Sequence, residues 1–452
     1  MYNLANHIFE LFKSTALICN KGTVLQLLLV LIISLYLLGM WYVKSTYKFW
    51  AYQPVFHYYN LWYWVCRAKI IDKRLPTKNR FCDFEHIETK SPGTVDDTTE
   101  TTETTDTTET TEFISNHYLV DNPAYKYTIT PRGFDACFTN HSNDSFISIF
   151  RQMGGTEIIG TMTTRSLYAR INQVRLPVYY VDHLCVHRDH RGKNIATSLI
   201  QTHEYNQRHS AKHTSASIFK REGTVLGIVP IVAYMSVSFH IGTVYNQRTS
   251  VRTNERTNER LRLVAFNEST SGSAFERHFT DMMTLINCSS STFDLFILPH
   301  ADNIRSQIIA KILFPTIVYN ESTSPPTPIA IFIFKDIETY NRTTVTEPAT
   351  EPATDTTPSS VAQPNCMELN VSYISPGYST AEIIPQVVRH ISRFRDSGFA
   401  NIIIERISDN DTVLRAIESN ESFVRYAVSP CAYFMYNYIA RPCDATKTFV
   451  VV

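Results

Sequence analysis

Apolar residues occur along the chain in three kinds of run, and each kind predicts a different element. Residues 24–43 are consecutive positions without a charged side chain, and as a helix they would span about 30 Å, the thickness of one bilayer core. Short runs rich in β-branched and aromatic residues predict buried strands. Runs with apolar residues three and four positions apart predict amphipathic helices. The mixture predicts an α/β body that follows one transmembrane helix.

These patterns define the predicted strands and helices of the body. The predicted strands are 146–149, 158–162, 178–186, 329–334, 367–374, 400–405, 433–439 and 448–452. The predicted helices are 194–207, 274–285, 304–313, 379–397, 412–417 and 422–428. Gly154 and Gly155 predict a hairpin turn. A strand that runs to the last residue predicts that the C-terminal tail is held in the fold, since termini usually fray.

Three biased tracts interrupt the patterned segments. Residues 93–112 are Thr-rich and acidic, and 343–364 are rich in Thr and Pro. Neither tract has enough apolar side chains to offset the entropy lost on ordering, so both are predicted to be disordered inserts. The repeat RTNERTNER at 252–260 predicts a surface loop or a helix extension.

The apolar run at 24–43 is predicted to be an uncleaved anchor. It ends in bulky Trp41 and Tyr42, whereas a signal peptide ends in small residues. Lysines lie on both sides of the run, so their distribution determines the orientation poorly. The nine cysteines include no CxxC pair, which predicts no disulfide framework and no metal site, and unpaired thiols fit a reducing compartment. We therefore expect a single-pass membrane protein with a cytosolic body.

Charge excludes one class of partner. Lys plus Arg and Asp plus Glu both number 42, so no overall positive field attracts nucleic acid, and none is expected as a partner.

The segment with the most chemical information is the predicted strand 178–186 together with the turn HRDHRGK and the helix at 194–207. A basic, Gly-containing turn before a helix is a candidate anion site, because backbone N–H groups and the helix dipole point at the anion and Arg191 and Lys193 add charge. The alternative is a solvated basic turn.

The turn from Arg191 to Ala196 resembles the pyrophosphate-binding turn of GNAT-type acyl-CoA transferases. Further segments resemble, in order, those of the N-myristoyltransferase (glycylpeptide N-tetradecanoyltransferase) family. YKFWAYQPV, HYLVDNPAYKYTITPRGF, DHLCVHRDHRGKNIATSLI, DSGFANIII and CAYFMYNY are similar to the family's FWxTQPVP, NYVED…F…PPGY, NFLCVHKKLRSKRVAPVLI, KGFDVFNAL and LQYYLYNW. The resemblance extends from about residue 47 to residue 452.

The resemblance implies the architecture. We expect an α/β fold of two tandem GNAT-like halves around a saddle-shaped sheet, preceded by the transmembrane helix. The implied divisions are an N-terminal segment at 1–23, the transmembrane helix at 24–43, an arm that contacts CoA and a loop leading into the body at 44–92, and the Thr-rich insert at 93–112. An acyl-CoA-binding half at 113–250 and a peptide-binding half at 251–452, with the insert at 343–364, follow.

The resemblance also implies the site residues. By this resemblance, the CoA end is contacted by Lys48, Phe49 and Trp50. The pantetheine and thioester lie against His183, Leu184, Cys185 and Val186. The phosphates lie against Gly192, Asn194, Ile195 and Ala196. The backbone amides of His183 and Leu184 would form the oxyanion hole, and the carboxylate of Val452 would be the base. Two fixed N–H donors suit the oxyanion that forms when an amine attacks a thioester. Because attack is direct, Cys185 is expected to be a core residue.

The implied activity is transfer of a myristoyl group from myristoyl-CoA, a co-substrate, to N-terminal glycines of proteins, without a permanently bound cofactor. Several positions depart from the family pattern. His183 replaces an aromatic residue, Thr197 replaces a proline, Gly192 replaces a serine and Asn194 replaces an arginine. The family's YTAG segment, which lies near the glycine amine, falls at 219–223, where bulky charges replace its small threonine. The family's Tyr-Trp-His-Arg pattern falls at 233–236, where a groove histidine is absent. Two alternatives therefore remain open, namely an inactive member that binds acyl-CoA or peptide, and a transferase with a different amine acceptor.

Overall fold

The computed structural model describes residues 21–92, 100–118, 125–152, 154–223, 227–242, 260–266, 272–341 and 365–452. The predicted insert at 343–364 lies outside the described residues, as do most of the 1–23 segment and the repeat at 252–260 apart from Arg260.

The described residues form helices and strands throughout the body. The helices α1 to α9 are Lys21–Thr46, Leu61–Val65, Glu100–His117, Pro131–Phe138, Ile195–Ser210, Ser273–Ser289, Ala301–Ile309, Thr380–Ser392 and Asn410–Glu418. The strands β1 to β9 are Lys69–Ile70, Ile87–Lys90, Tyr125–Tyr127, Phe146–Arg151, Ile158–Ile171, Val174–Val186, Ala216–Glu222, Val232–Ile241 and Leu261–Ala265. The strands β10 to β17 are Leu295–Leu298, Leu313–Asn320, Thr327–Asn341, Asn365–Ile374, Phe399–Glu405, Phe423–Tyr436, Tyr438–Ile439 and Thr448–Val450.

One large mixed sheet organises the molecule. Its main path runs β17-β10-β5-β6-β7-β15-β8-β14-β13-β12-β11-β9, with β2 joined through β4 to β5 and β3 joined to β12. The small strands β1 and β16 pair separately. Both faces are covered by helices or chain segments, and the core is correspondingly rich in β-branched and aromatic side chains.

The sheet consists of two similar units that share their last strands. In the first unit a hairpin of β5 and β6 leads through α5 to β7, which is parallel to β6. In the second unit a hairpin of β12 and β13 leads through α8 to β14, which is parallel to β13. The next strand of each unit then crosses to the other, since β8 pairs with β14 and β15 pairs with β7, and β8 and β15 pair with each other. The two halves are therefore interlocked in a single sheet.

Helix α5 packs closely on the first hairpin. A Cβ atom at Gly160 would lie 2.9 Å from Leu199 Cδ1 and 3.2 Å from the Cys185 carbonyl oxygen, so glycine is required for this approach. Leu199 is completely buried. The packing fixes the start of α5 against the end of β6, where the candidate anion site was predicted.

Most predicted elements are confirmed. The predicted strands 146–149, 158–162, 178–186, 329–334, 367–374 and 400–405 lie within β4, β5, β6, β12, β13 and β14. The hairpin turn is also present, with the Gly155 N–H donating to the Gln152 carbonyl oxygen. The C-terminal tail is tied into the sheet, because β17 runs parallel to β10 and the Val451 N–H donates to Ile297.

Three predictions were wrong. The segment 422–428 is not a helix but the start of β15, because Phe423, Val424 and Val428 pair with β8. The helix predicted at 304–313 ends at Ile309, because Lys311 has a left-handed backbone and Leu313 begins β11. The acidic tract, predicted to be disordered, is helical from Glu100 onwards, because the Phe113 and Ile114 side chains that follow it are buried in the core.

The N-terminal helix α1 is apolar and exposed. Gly22–Thr46 is long and apolar enough to cross a membrane, and none of its most apolar stretch is buried in the protein. A signal sequence has the same length and composition. The helix ends against the body, where Gly227 lies beside the Val43 and Tyr47 side chains.

Candidate active site

The site is centred on an interruption of the ladder between β5 and β6. Thr163 is opposite Asp182 and Thr161 is opposite Cys185, so His183 and Leu184 have no partner in the register. His183 has a left-handed backbone, with φ of 45°. The parallel pairing of β6 with β7 ends at Val181. The two residues thus form a bulge at the point where the strands separate, which directs their backbone away from the ladder.

A cavity of about 1050 Å³ opens at this bulge. The volume is slightly above the roughly 300–1,000 Å³ typical of small-molecule sites. Side chains from both halves form its walls, which include Trp50, Tyr118, Tyr127, Arg165, Tyr180, Asp182, His183, Leu184, Phe219, Lys220, Glu222, Lys335, Glu338 and Glu368. The cavity therefore combines aromatic surface with a ring of charged groups.

The His183 side chain is a fixed, buried group. Its ring nitrogens lie 3.0 Å from the Tyr127 hydroxyl and 3.1 Å from the Thr163 hydroxyl. Burial lowers the pKa of His183, although the neighbouring Asp182 opposes this effect. The ring is also surrounded by Tyr118, Phe134 and Phe138. A neutral imidazole thus fills the position where the resemblance implies an aromatic residue.

Asp182 places a carboxylate beside the bulge. Its Oδ1 atom accepts a hydrogen bond from the His183 N–H at 2.9 Å, and its Oδ2 atom lies 3.8 Å from Arg165 Nη2. Burial alone would raise the pKa of Asp182, but His183, Arg165 and Lys335 outweigh it and the pKa is lowered. The carboxylate is consequently an anion at neutral pH, within the cavity wall.

A buried ionic network occupies the side of the cavity formed by β7, β13 and β14. The Lys220 ammonium group lies 2.5 Å from Glu405 and 3.7 Å from Glu368. The Tyr234 hydroxyl donates to Glu405 at 2.9 Å. Burial alone would lower the pKa of Lys220, but the two carboxylates raise it well above its ordinary value. Lys220 is therefore a permanent cation where the resemblance leads one to expect a small residue.

The pKa values of the two carboxyl groups in this network are shifted in opposite directions. Burial raises the pKa of Glu405, which has no exposed surface, and the charge of Glu368 adds to the effect. Burial would also raise the pKa of Glu368, but Lys220 and Lys335 reverse the shift and lower it. The cavity lining thus includes the ionised partner, and the group behind it holds a proton more readily.

The predicted phosphate turn leads directly into the N-terminus of α5. Gly192 and Asn194 both have left-handed backbones, with φ of 76° and 63°. Asn194 is the N-cap of α5, and its side chain makes no capping hydrogen bond to the helix. The side chain of Ile195 points into the core with Leu199. The first N–H groups of this 16-residue helix, which include that of Ala196, thus lie at an N-terminus without a side-chain cap.

The arm after α1 reaches the same cavity. Trp50 lines it and stacks on Phe219, with ring centroids 5.5 Å apart. Phe49 packs edge-on against Trp50, whereas Lys48 is exposed. Gln53 fixes the arm to the body by accepting hydrogen bonds from Gln201 and Tyr436, each at 2.9 Å.

Val452 lies behind the cavity wall. The residue is buried, and its carbonyl oxygen accepts a hydrogen bond of 2.7 Å from Lys335 Nζ. Because Lys335 lines the cavity, it links the C-terminal residue to the space next to the bulge.

Cys185 faces the core, in agreement with its expected packing role. Its side chain belongs to a cluster with Phe134 and Phe138, and burial raises the pKa of the thiol to about 12. Val186, one residue on, packs near Ile195.

The structure thus brings Trp50, His183 and Leu184 to one cavity, and it places Val452 one side chain behind the wall. Sequence reasoning missed a set of charged residues in or next to that wall, namely Arg165, Asp182, Lys220, Lys335, Glu368 and Glu405. Their positions along the chain carry no common motif. The one available signal was the unusual charge at 219–223, which had been noted as a departure from the family pattern.

Comparisons with known proteins agree with this architecture. Residues 111–232 match the model of the acetyltransferase (GNAT) family. A structure of Saccharomyces cerevisiae N-myristoyltransferase with bound myristoyl-CoA is similar with a TM-score of 0.64 and 12% identity, over 90% of this chain and 94% of that one. A second structure of the yeast enzyme with myristoyl-CoA gives a TM-score of 0.62 and 13% identity, over 90% and 99%. A third, with inhibitors, gives 0.63 and 12%, over 93% and 98%.

No curated protein sequence is significantly similar to the chain. The structural similarity nevertheless extends along almost the whole body, and the GNAT match covers the hairpin, the bulge and α5. The chain therefore has an N-myristoyltransferase-like GNAT fold, as the resemblance implied.

The buried network gives a prediction about stability. Replacing Lys220 by Met leaves two buried carboxyl groups without their cation, which typically costs about 3–5 kcal/mol. In the variant Lys220 no longer lowers the pKa of either group, so both pKa values rise, and that of Glu405 moves further above its unfolded value. Stability is then retained at low pH, where they are protonated, and lost as the pH rises through the folded-state pKa. We expect a larger loss at pH 8 than at pH 5 in urea unfolding of the detergent-solubilised chain.

The control for this experiment is Lys220→Arg, which keeps the positive charge and should lose much less stability at pH 8. An equal loss for Lys220→Met at both pH values would show that packing, and not charge, is what Lys220 contributes.

Proposed function

We propose that this chain, which has the fold of N-myristoyltransferases, is a membrane-anchored enzyme that transfers a myristoyl group from myristoyl-CoA to the N-terminal glycine of proteins. The observation that carries the proposal is the bulge at His183 and Leu184. It opens into a large cavity, it lies on the strand that leads to the uncapped start of α5, and it is next to a carboxylate. Myristoyl-CoA is a co-substrate here, and no permanently bound cofactor takes part.

The proposed acyl-CoA site runs from α5 to the cavity. The phosphates bind to the N–H groups around Gly192, Asn194, Ile195 and Ala196, where the helix dipole favours an anion. Lys48, Phe49 and Trp50 contact the CoA end from the arm. The pantetheine and thioester lie along residues 183–186, and the acyl chain enters the apolar part of the cavity.

The proposed transfer is a direct attack. The neutral glycine amine attacks the thioester carbonyl carbon, a C–N bond forms, and the carbonyl oxygen becomes an oxyanion. The C–S bond then breaks, and the departing sulfur takes the proton that the nitrogen loses, so that CoA is released as a thiol. The N–H groups of His183 and Leu184 stabilise the oxyanion. In the structure the His183 N–H donates to Asp182, so this donor must turn from the carboxylate to the oxyanion during the reaction.

The amine must lose its proton before it attacks, because a free α-amine has a pKa of about 7.7–8.0. We propose that the carboxylate at Val452 accepts this proton, with Lys335 holding it in place. Asp182 is a second carboxylate close to the bulge, and at this position the family sequence has asparagine. Variants of Val452 and of Asp182 distinguish these two carboxylates as the base.

A second candidate function is acyl transfer to a different amine, such as a lysine side chain or a small amine. The observation that favours it is Lys220, a buried cation with Glu222 and Glu368 beside it, at the place expected for a small residue near the glycine amine. A changed charge pattern at the acceptor end changes which amine is accepted.

Membrane attachment belongs to the same proposal. We propose that α1 crosses the membrane once and that the body faces the cytosol, where acyl-CoA and newly made N-termini are both present. The helix has the length and hydropathy for this role.

The experiment that tests the function is an acyl-transfer assay on the full chain in detergent or nanodiscs. Myristoyl-CoA is offered with peptides that begin with Gly, matched peptides that begin with Ala, and N-acetylated peptides that contain one Lys, and CoA release is measured. We expect turnover with the Gly peptides only. Turnover with the Lys peptides would support the second candidate instead. Tight binding of myristoyl-CoA without any turnover would show an inactive binding protein.

The oxyanion hole gives a sharper prediction. Leu184→Pro removes one backbone N–H, and loss of one such donor typically lowers kcat by about 10²–10³. Leu184→Ala keeps the N–H and is the matched control, so it should retain most of the wild-type kcat. His183→Phe restores the aromatic residue of the family and also keeps its N–H. Binding of myristoyl-CoA, measured by calorimetry, verifies that the variants are folded. Equal activity of the Pro and Ala variants would exclude a role for this amide.

The base can be tested at the terminus. Deleting Val452, or adding one residue after it, moves the carboxylate and should lower kcat/KM most strongly below pH 7, where less amine is neutral. Val452→Ala keeps the carboxylate in place and should be close to wild type. If the displaced-terminus variants stay active and Asp182→Asn does not, the base is Asp182.

A further inference from the structure

Next to α1 the body carries a second apolar surface, which neither the cavity nor the core uses. We call residues 58–65 the aromatic segment; they read YYNLWYWV and include α2. Leu61, Trp62 and Val65 are each more than 60% exposed. The segment contains no charged residue. These three exposed apolar side chains lie within five consecutive positions and form an apolar patch. Exposed apolar patches often mark interaction sites.

The aromatic segment is held against α1. The Tyr36 hydroxyl donates to the Tyr59 carbonyl oxygen at 2.8 Å, and the Lys44 ammonium group lies 5.6 Å from the centre of the Tyr59 ring. Tyr36 precedes Val43, the end of the apolar run, by seven positions, or about 10 Å of helix. The segment therefore runs back along the helix to a point inside the stretch that would occupy the bilayer.

The patch is also rigid. The Trp64 indole N–H donates to the Tyr58 carbonyl oxygen, and its ring packs edge-on against buried Phe56 at 5.0 Å. Trp64 thus fastens the segment to the body, and Trp62 on the other side of α2 projects outwards. The exposed indole of Trp62 therefore lies on an ordered surface and not at the tip of a flexible loop.

The chemistry of the patch fits one partner. Trp and Tyr concentrate at the boundary between lipid headgroups and acyl chains, because one end of each ring system is polar and the other apolar. Arg67 and Lys69 follow α2 directly and are exposed, where they would meet anionic headgroups. Amphipathic surface elements are buried about 5–10 Å into this boundary, which agrees with the depth given by Tyr36.

We propose that the aromatic segment inserts into the headgroup region of the membrane beside α1 and gives the body a second point of attachment. Leu61, Trp62 and Val65 enter the lipid, and Arg67 and Lys69 contact its phosphates. The body then has a fixed orientation on the bilayer, since two attachment points prevent it from swinging about α1. The inference rests on the proposed membrane anchoring by α1 and is independent of the acyl-transfer activity.

The test uses the four tryptophans of the chain, which are Trp41, Trp50, Trp62 and Trp64. Replacing three of them by Phe leaves one fluorescent reporter in the full chain. Each version is reconstituted into vesicles of phosphatidylcholine and phosphatidylserine that contain lipids brominated at shallow or deep acyl positions. The version that keeps Trp62 should be quenched more strongly by shallow than by deep bromine, and it should be protected from iodide in the water.

Two further single-tryptophan chains distinguish failure of the second attachment point from failure of the anchor. The version that keeps Trp50, which lines the cavity, should not be quenched by brominated lipid. The version that keeps Trp41, in α1, reports whether the helix is in the bilayer. Quenching of Trp41 together with iodide access to Trp62 would overturn this inference and leave the anchor intact. No lipid quenching of either residue would overturn the anchor as well.

Protection of Trp62 from both bromine and iodide would also overturn the proposal, because protein would then cover the patch. The unsubstituted chain provides a second measurement that needs no variant. In vesicles with a photoactivatable phospholipid, lipid adducts should appear on peptides from the aromatic segment, and their absence while adducts form on α1 would contradict the inference.

Discussion

The structure depends on the pairing of β8 with β15. Strand β8 follows the first unit in the sequence but also pairs with β14 of the second unit. Strand β15 follows the second unit but also pairs with β7 of the first. This exchange makes one sheet out of two units. It also positions the cavity, because β7, β13 and β14, which carry Lys220, Glu368 and Glu405, are brought together only when the exchanged strands are in place. The bulge on β6 then opens towards a wall that the other half supplies.

The buried charges follow from the same arrangement. A cation and several carboxylates at the junction of two apolar layers would each be costly alone. Here Lys220 is shared between Glu368 and Glu405, while Arg165 approaches Asp182 and Lys335 approaches Val452. These pairings offset the cost of burying charged groups at the junction.

Local patterns were sufficient for the elements that bury a regular face. The run at 178–186 and the spacing at 194–207 predicted β6 and α5, and the motifs between them led to the fold. Residues 422–428 were mistaken for a helix because their strand character comes from pairing with β8. That strand is almost two hundred positions away in the chain, as the register of Val428 with Val237 illustrates. The helix over the Thr-rich tract depends similarly on Phe113 and Ile114, whose burial a composition argument ignores. The Lys220 network joins three strands, so no local pattern predicts it. The placement of Trp50, His183 and Leu184 at one cavity was foreseen through the resemblance, and their roles stay predictions.

The exchanged strands also have a consequence for how the protein is made. Loop-closure entropy slows the formation of contacts between residues far apart in sequence. During synthesis the first half emerges with β7 and β8 already complete but without β15, which belongs between them, and without β14 on the far edge of β8. Open strand edges of this kind readily pair with other chains. The strand edges of the first half therefore stay exposed and prone to aggregation until most of the second half has been translated. The yield of folded protein in cells should depend on how well chaperones cover these edges during that interval, more than on the stability of the finished sheet.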